Sequence, residues 1–195
     1  MSPVTHFLLG WTLAERSATT PRDRAWITFA GIAPDLDGLG LMVDVANQAL
    51  GRPESFWFEK FHHSLLLGLP GAGLLIVAAA LSGVRQGRTL LLLLASFHLH
   101  LLCDVVGSRG PSPKDIWSID YLGPLSHACN LSWSQQWPLN GWQNFALSAL
   151  LILGCLVRTV RTGVSPASLF SQRVDALVVA TLRRRWAQWS GTTGR

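Results

Sequence analysis

Long apolar segments separated by short polar ones dominate the hydrophobic pattern of the chain. Three of them, 65–84, 89–107 and 144–160, reach or approach the roughly 17 to 25 apolar residues that cross a bilayer. Two weaker apolar stretches, 3–14 and 25–43, precede them. The pattern predicts an all-α protein, a polytopic membrane helical bundle of about four to five membrane segments.

The composition also favours a membrane protein. Hydrophobic residues make up 49% of the 195 residues and charged residues 14%, with a mean hydropathy of +0.30. These values are too apolar for an ordinary soluble domain of this length. The N-terminal stretch lacks a basic region and a clear small-residue cleavage site, so we expect no cleavable signal peptide. The three cysteines are unevenly spaced without a C-x-x-C pair, which indicates neither a disulfide framework nor a thiolate zinc site.

The basic residues predict an orientation for the helices. With segments near 3–14, 25–43, 64–84, 89–107 and 143–160 and an extracytoplasmic N-terminus, twelve of the sixteen lysines and arginines fall on the inner side. This bias follows the positive-inside rule and predicts a multi-pass protein of a bacterial inner membrane with a cytoplasmic C-terminus. The net charge of +5 is scattered over short loops, so the sequence does not favour nucleic acid as a partner.

The chain divides into two predicted parts. Residues 1–163 form the membrane-embedded part, and residues 164–195 form a C-terminal tail with the pattern of an amphipathic helix on the cytoplasmic membrane surface. The outer loop 108–142 is rich in tryptophan, which suits either simple interfacial anchoring or a surface that a lipid-like substrate passes.

Residues of the types that bind metals collect at the outer end of the predicted bundle. All six histidines and eight of the eleven acidic residues fall in outer loops or outer halves of segments. His100 and Asp104 lie four residues apart on one helix, about 40° apart around its axis, so both can reach one ion. Ionisable groups within an apolar segment are costly and usually face a polar cavity or one another. His98 lies on a different face of the same helix and needs a separate partner.

Three further blocks add candidate ligands at the same level. In A-P-D-L-D-G, the proline and the neighbouring glycines favour a broken backbone that lets Asp35 and Asp37 point into one site. In F-H-H-S, His62 and His63 can supply one ligand and one group that orients a ligand or transfers protons. His6 lies one turn into the first segment.

Together these blocks offer imidazole nitrogens and carboxylate oxygens, which suit zinc and also manganese or iron. They predict a site for one or two divalent ions, with two ions the more economical interpretation because the blocks offer more than one ion needs. A centre of this kind activates water and stabilises charge on an attacked phosphoryl or carbonyl oxygen.

The order of the blocks resembles a known family. T-H near the N-terminus, P-D-L-D-G, H-S-L-L at the start of a span and H-L-L-C-D at the end of the next are similar to motifs of the bacterial membrane-bound metal-dependent hydrolases, some of them under LexA control. The similarity extends over residues 1 to about 110. It implies an inner-membrane hydrolase whose natural substrate is unsettled. The ligands that it implies are His6, Asp35, Asp37, His63, His100 and Asp104.

The sequence departs from this family at one block. Members often carry H-R-x-x-T-H-S there, whereas Phe58 and Glu59 stand five and four residues before His63, and His62 replaces the threonine. One ligand is therefore absent or is replaced by Glu59 or His62. A second ion would lack a ligand unless one of these two residues supplies it.

The sequence thus predicts an enzyme, a metal-dependent hydrolase acting on a phosphoester of a lipid or lipid-linked substrate at an extracytoplasmic site. Similarity of the H-x-x-x-D pair and the N-terminal histidine to soluble zinc-dependent phospholipases C favours the phosphoester. His62 or His98 is the predicted catalytic acid-base or ligand-orienting residue. Two alternatives stay open: a zinc-dependent lipid amidase, supported by Ser64 beside His63, and a non-enzymatic metal or ion transporter. The oligomeric state does not follow from the sequence.

Overall fold

A computed structural model describes residues 1–17, 20–52 and 68–191, apart from the side chains of Asp37 and Leu41. Its helices are α1 (Pro3–Ser17), α2 (Pro21–Ala30), a 3-10 helix (Ala33–Leu39), α3 (Gly40–Ala49), α4 (Leu69–Leu81), α5 (Gly87–Gly107), α6 (Trp142–Thr162), a second 3-10 helix (Pro166–Leu169) and α7 (Gln172–Trp189). Strands β1 (Ile119–Asp120) and β2 (Asn130–Leu131) pair antiparallel between α5 and α6. The described residues are mostly helical, which agrees with the predicted all-α class.

Two helices of the described chain, α5 and α6, are long and apolar enough to cross a membrane. Each has 21 residues, which at 1.5 Å per residue gives about 31 Å, the thickness of a hydrocarbon core. α4 is apolar but has 13 residues, and α1 has 15. The predicted segment 25–43 is not one continuous helix, because α2 ends at Ala30 and a 3-10 helix follows. A bundle of four to five membrane segments therefore stays a prediction.

α1 and α6 run in the same direction. Near their starts, the hydroxyls of Thr5 and Ser148 share a hydrogen bond of 2.7 Å. Ten residues further along both helices, Arg158 Nε donates to Glu15 Oε2 at 2.7 Å. These two contacts hold the helices together at both ends.

The ends of the other helices meet at the starts of α1 and α6. The carbonyl oxygen of Gly31, just after α2, accepts a hydrogen bond from His100 in the second half of α5. Leu69 at the start of α4 donates to the Tyr121 carbonyl oxygen, and the Tyr121 hydroxyl contacts His98 of α5. α2 and α5 therefore finish, and α1, α4 and α6 begin, at one end of the bundle, which we call the site end.

The opposite end of the bundle carries most of the described basic residues, and we call it the arginine end. It comprises the end of α1, the start of α2, the turn between α4 and α5, and the end of α6, where Arg183 of α7 donates to the Val160 carbonyl oxygen at 2.9 Å. Its arginines are Arg16, Arg22, Arg24, Arg85, Arg88, Arg158, Arg161 and Arg183. The charge asymmetry seen in the sequence is thus a property of the folded bundle.

α1, α2 and α5 approach closely because glycine lies where they cross. A Cβ on Gly10 would lie 2.9 Å from Ser96 Oγ and 3.0 Å from the Thr28 carbonyl oxygen. A Cβ on Gly31 would lie 2.9 Å from the same Ser96 Oγ and 3.0 Å from the His6 carbonyl oxygen. The close approach brings the start of α1 and the end of α2 against the second half of α5.

The tail predicted as an amphipathic helix is α7. α6 ends at Thr162 and is followed by Gly163, whose φ of +74° favours glycine, and α7 begins after Ser171, whose hydroxyl accepts from Val174 N. Asp175 Oδ1 accepts hydrogen bonds from Ser165 N at 2.7 Å and from Ser165 Oγ at 2.6 Å. α7 is therefore fastened to the end of α6, and the division of the chain at residue 163 stays a prediction.

Candidate metal centre

Four of the predicted ligands form one group at the site end. His6, Asp35, His100 and Asp104 each offer a ligand atom, and these atoms lie within 4.8 Å of one another. His6 and His100 are each 1% exposed and Asp104 is 7% exposed, whereas the Asp35 side chain is 24% exposed. This group could bind a metal ion.

Three elements supply the group. α1 contributes His6, its fourth residue, the 3-10 helix after α2 contributes Asp35, and α5 contributes His100 and Asp104. The i,i+4 spacing places the last two on one face of α5, as expected from helix geometry. The rings of His6 and His100 stack with centroids 3.8 Å apart and an interplanar angle of 27°. The two imidazoles therefore reach the carboxylates from the same side.

The hydrogen bond of His100 to the backbone determines which ring nitrogen faces the carboxylates. A carbonyl oxygen can only accept, so the Nδ1–H of His100 donates to Gly31 O at 2.8 Å. In the neutral ring, Nε2 then carries a lone pair. It lies 3.0 Å from Asp104 Oδ2 and 3.9 Å from Asp35 Oδ1, and it has no hydrogen-bond partner among the described residues. A lone pair facing two carboxylates is repulsive unless a proton or a metal ion lies between them.

Asp104 is the centre of the contacts in this group. Its Oδ1 accepts from Ser108 Oγ at 2.8 Å and lies 3.1 Å from His6 Nε2. The α-amino group of Met1 also contacts Oδ1 and donates to Ser108 Oγ at 2.7 Å. A buried carboxylate needs such partners because removing its charge from water is costly.

The donor set fits a divalent ion. Two imidazoles and two carboxylates are ligands that zinc accepts, and carboxylate oxygens also suit manganese and iron. Bonds of 2.0–2.1 Å place tetrahedral zinc ligands about 3.3 Å apart, so binding would draw the group inward from its 4.8 Å limit. The four residues match the needs of one ion. A second ion would depend on Asp37 and His63.

Of the remaining predicted site residues, the structure describes the side chain of His98 alone. His62 and His63 are outside the described residues, as is the side chain of Asp37, although its backbone belongs to the 3-10 helix. His98 is not part of the four-residue group: its Nδ1–H donates to Leu94 O at 2.8 Å, and its Nε2 lies 2.9 Å from the Tyr121 hydroxyl. Tyr121 is therefore the separate partner that we expected for His98. This position gives no support to the predicted catalytic role of His98.

Sequence reasoning missed several residues that support the group. Gln136 is 1% exposed and links the outer loop to α5, because its Nε2 donates to the carbonyl oxygens of Trp117 at 2.7 Å and Asp104 at 3.3 Å. Asn144 Nδ2 donates to Gly107 O at 2.8 Å. Of these residues and Ser108, only Ser108 could have been identified from the sequence, because it lies four residues after Asp104 and so on the same helical face.

Known protein families, curated proteins and solved structures give no match to this chain. The resemblance carried by the short motifs therefore stays a prediction.

Proposed function

We propose that the chain is a membrane-embedded metal-dependent hydrolase, related to the bacterial membrane-bound hydrolases that its motifs resemble. The proposed substrate is a lipid or lipid-linked molecule, and the proposed bond is a phosphoester. The proposed metal is zinc, with manganese or iron as the other ions that this donor set accepts.

One observation carries the proposal: Nε2 of His100 lies 3.0 Å from Asp104 Oδ2 and 3.9 Å from Asp35 Oδ1, in a group of four residues whose ligand atoms lie within 4.8 Å of one another. Because the Nδ1–H of His100 is committed to the Gly31 carbonyl oxygen, Nε2 is the nitrogen that can bind a cation between the two carboxylates. A divalent ion bound between these atoms would activate water and stabilise charge on the attacked oxygen.

The four residues of the group differ in exposure and therefore in their proposed roles. His6, His100 and Asp104 are nearly fully buried and hold the ion from the interior of the bundle. The Asp35 side chain, 24% exposed, lies on the open side. Water can therefore reach the ion along Asp35, whose carboxylate can bind the ion or orient a water molecule beside it.

The proposed location is a bacterial inner membrane, crossed by α5 and α6 and by further segments. The arginine end faces the cytoplasm under the positive-inside rule, and the site end faces outward. α7 then lies at the cytoplasmic surface.

The rival functions receive less support. Ser64, on which the amidase rests, is outside the described residues. A transporter needs polar groups along a path from one end to the other. In α5, the described buried residues between the arginine end and His100 are Thr89, Leu93, Ser96 and Phe97, none of them ionisable.

Metal content is the direct test of the proposal. Elemental analysis of the full chain, purified without chelator, should find about one divalent ion per chain or more, and His100→Ala should lose it. His98→Ala is the matched control, because His98 lies on another face of α5 and contacts Tyr121. The control should keep the ion.

Activity then separates the candidate reactions. The metal-loaded protein is incubated with phospholipids and, in parallel, with ceramide-like amides. Release of a phosphorylated head group that is lost in His100→Ala supports the phosphoesterase, whereas release of a fatty acid supports the amidase. A wild-type protein with no bound ion after gentle purification would overturn the metal centre, and with it both enzymes.

A further inference from the structure

A cavity of about 570 Å³ lies at the site end beside the metal centre. Ligand pockets typically span roughly 300 to 1,000 Å³, so its size suits a small amphiphile. Most of its wall is apolar and includes Pro3, Trp117, Leu139 and Phe145. Among the described residues that line it, Arg109 is the only basic one.

Arg109 is fixed at the wall of this cavity by its backbone. It stands two residues beyond the end of α5, where its N–H donates to Trp137 O at 3.1 Å and its carbonyl oxygen accepts from Leu139 N at 2.8 Å. Its guanidinium Nε is buried and has no hydrogen-bond partner among the described residues. The residue as a whole is half-buried and lines the cavity, so its guanidinium can offer charged donors to an anionic ligand there.

The cavity and the metal centre share a wall. Met1 lines the cavity while its α-amino group contacts Asp104. Asn144 also lines the cavity and bonds to Gly107 O, three residues after Asp104. The cavity therefore adjoins the metal centre through Met1 and Asn144.

The apolar surroundings indicate which anion enters. Phe145 is 66% exposed and belongs to α6, a candidate membrane span most of whose residues are not buried within the protein. Trp142 at the start of the same helix is 74% exposed. The cavity therefore adjoins a helix face whose apolar side chains suit acyl chains, with aromatic residues at the level of lipid head groups.

We propose that this cavity binds an anionic phospholipid, with Arg109 binding the phosphate and the apolar wall binding the adjoining acyl carbons. The inference deepens the proposed function by naming the residue that holds the substrate, and it rests on that function for the reaction but not for the binding.

The test measures lipid binding without hydrolysis. The full chain, stripped of metal with chelator in detergent micelles, is titrated with phosphatidic acid and with the matching diacylglycerol, and bound lipid is counted by native mass spectrometry. We expect phosphatidic acid to bind at least about tenfold more tightly, because only it offers a phosphate to the guanidinium. Inorganic phosphate should not displace it, because the free ion lacks the acyl contacts.

Variants then assign the binding to Arg109. Arg109→Gln should weaken phosphatidic acid binding about tenfold or more, and Arg109→Lys should fall between it and the wild type, because lysine keeps the charge but loses the planar fork. Arg85→Gln, an exposed arginine at the opposite end, is the matched control and should bind as the wild type does. Phe145→Ala, which trims the apolar wall, should weaken binding several-fold even where Arg109→Gln fails to fold.

The outcomes for the cavity and for the metal centre are separable. His100→Ala should lose metal yet bind phosphatidic acid normally. Equal binding of phosphatidic acid and diacylglycerol, or wild-type binding by a folded Arg109→Gln, would overturn the cavity proposal and leave the metal centre intact. Displacement of the lipid by inorganic phosphate would overturn it too, in favour of a free-anion site.

Discussion

The Nδ1–H of His100 donates to the carbonyl oxygen of Gly31 at 2.8 Å, and this hydrogen bond decides that Nε2 points at Asp104 and Asp35. Metal-binding histidines commonly donate their second ring N–H to a backbone carbonyl or carboxylate, which fixes the ring orientation. The end of α2 therefore positions a candidate ligand that belongs to α5.

Adding a methyl group at Gly31 should disturb both the packing and this hydrogen bond. A Cβ there would lie 2.9 Å from Ser96 Oγ and 3.0 Å from the His6 carbonyl oxygen. We expect Gly31→Ala to destabilise the fold by about 1–3 kcal/mol, the usual cost of overpacking, and to weaken metal binding about 10- to 100-fold, as loss of a ligand-orienting partner does.

Thermal unfolding in detergent and metal titration measure the two effects. Gly154→Ala is the matched control, because a Cβ at Gly154 meets no atom within 4 Å and Gly154 lies inside α6. It should stabilise the helix by about 0.5–1 kcal/mol and leave metal binding unchanged. Normal metal affinity in Gly31→Ala would show that the Gly31 carbonyl does not position His100.

Metal should stabilise the folded chain through Asp104. A ligand that binds only the folded state at 100 times its dissociation constant adds about 2.7 kcal/mol, so zinc should raise the melting temperature and chelator should lower it again. Asp104→Asn removes the carboxylate that contacts both histidines and should abolish the zinc-induced shift. Asp120→Asn, a substitution outside the four-residue group, should retain the shift. An equal shift in Asp104→Asn would mean that zinc binds elsewhere.

Helix periodicity predicted the local parts of the site. The i,i+4 spacing of His100 and Asp104 was enough to place both on one face of α5, and Nε2 of one lies 3.0 Å from Oδ2 of the other. The broken backbone expected around Asp35 is a 3-10 helix. Both follow from local rules, because spacing and proline and glycine content act within a few residues.

The long-range contacts of the site could not be predicted from the sequence. Gly31 contributes only a backbone carbonyl oxygen, so its residue type carries no sign of the contact with His100. Gln136 contacts α5 from 32 residues away, and nothing in a single sequence records such a pairing. Hydropathy also does not distinguish a helix that crosses the membrane from a buried core helix, because both are apolar along their length.

The Glu15–Arg158 pair should hold α1 to α6 at the arginine end. The Glu15 side chain is 8% exposed and that of Arg158 is 26% exposed, so removing one partner leaves a poorly solvated charge. We expect Glu15→Ala to destabilise the fold by about 2–4 kcal/mol, slightly below the range for fully buried pairs. The double variant Glu15→Ala/Arg158→Ala should lose less than the sum of the two single variants, as the double-mutant cycle measures. Additive losses would show that the pair contributes no coupling.

The ends of α6 should lie on opposite sides of the membrane. Asn140 is exposed at the site end just before α6, and Thr162 is exposed at the last residue of α6, beside the arginine end. About 31 Å of helix separates the two ends, and the arginines near Thr162 favour the cytoplasm. The test uses a variant with all three cysteines replaced and a membrane-impermeant maleimide. We expect Asn140→Cys to react in intact bacteria stripped of outer membrane, and Thr162→Cys to react only in inverted vesicles. Neither change alters a charge, so the variants keep the arginine distribution that sets the orientation. Reaction of Thr162→Cys alone in the intact cells would reverse the proposed orientation, and reaction of both would show that α6 does not cross the membrane.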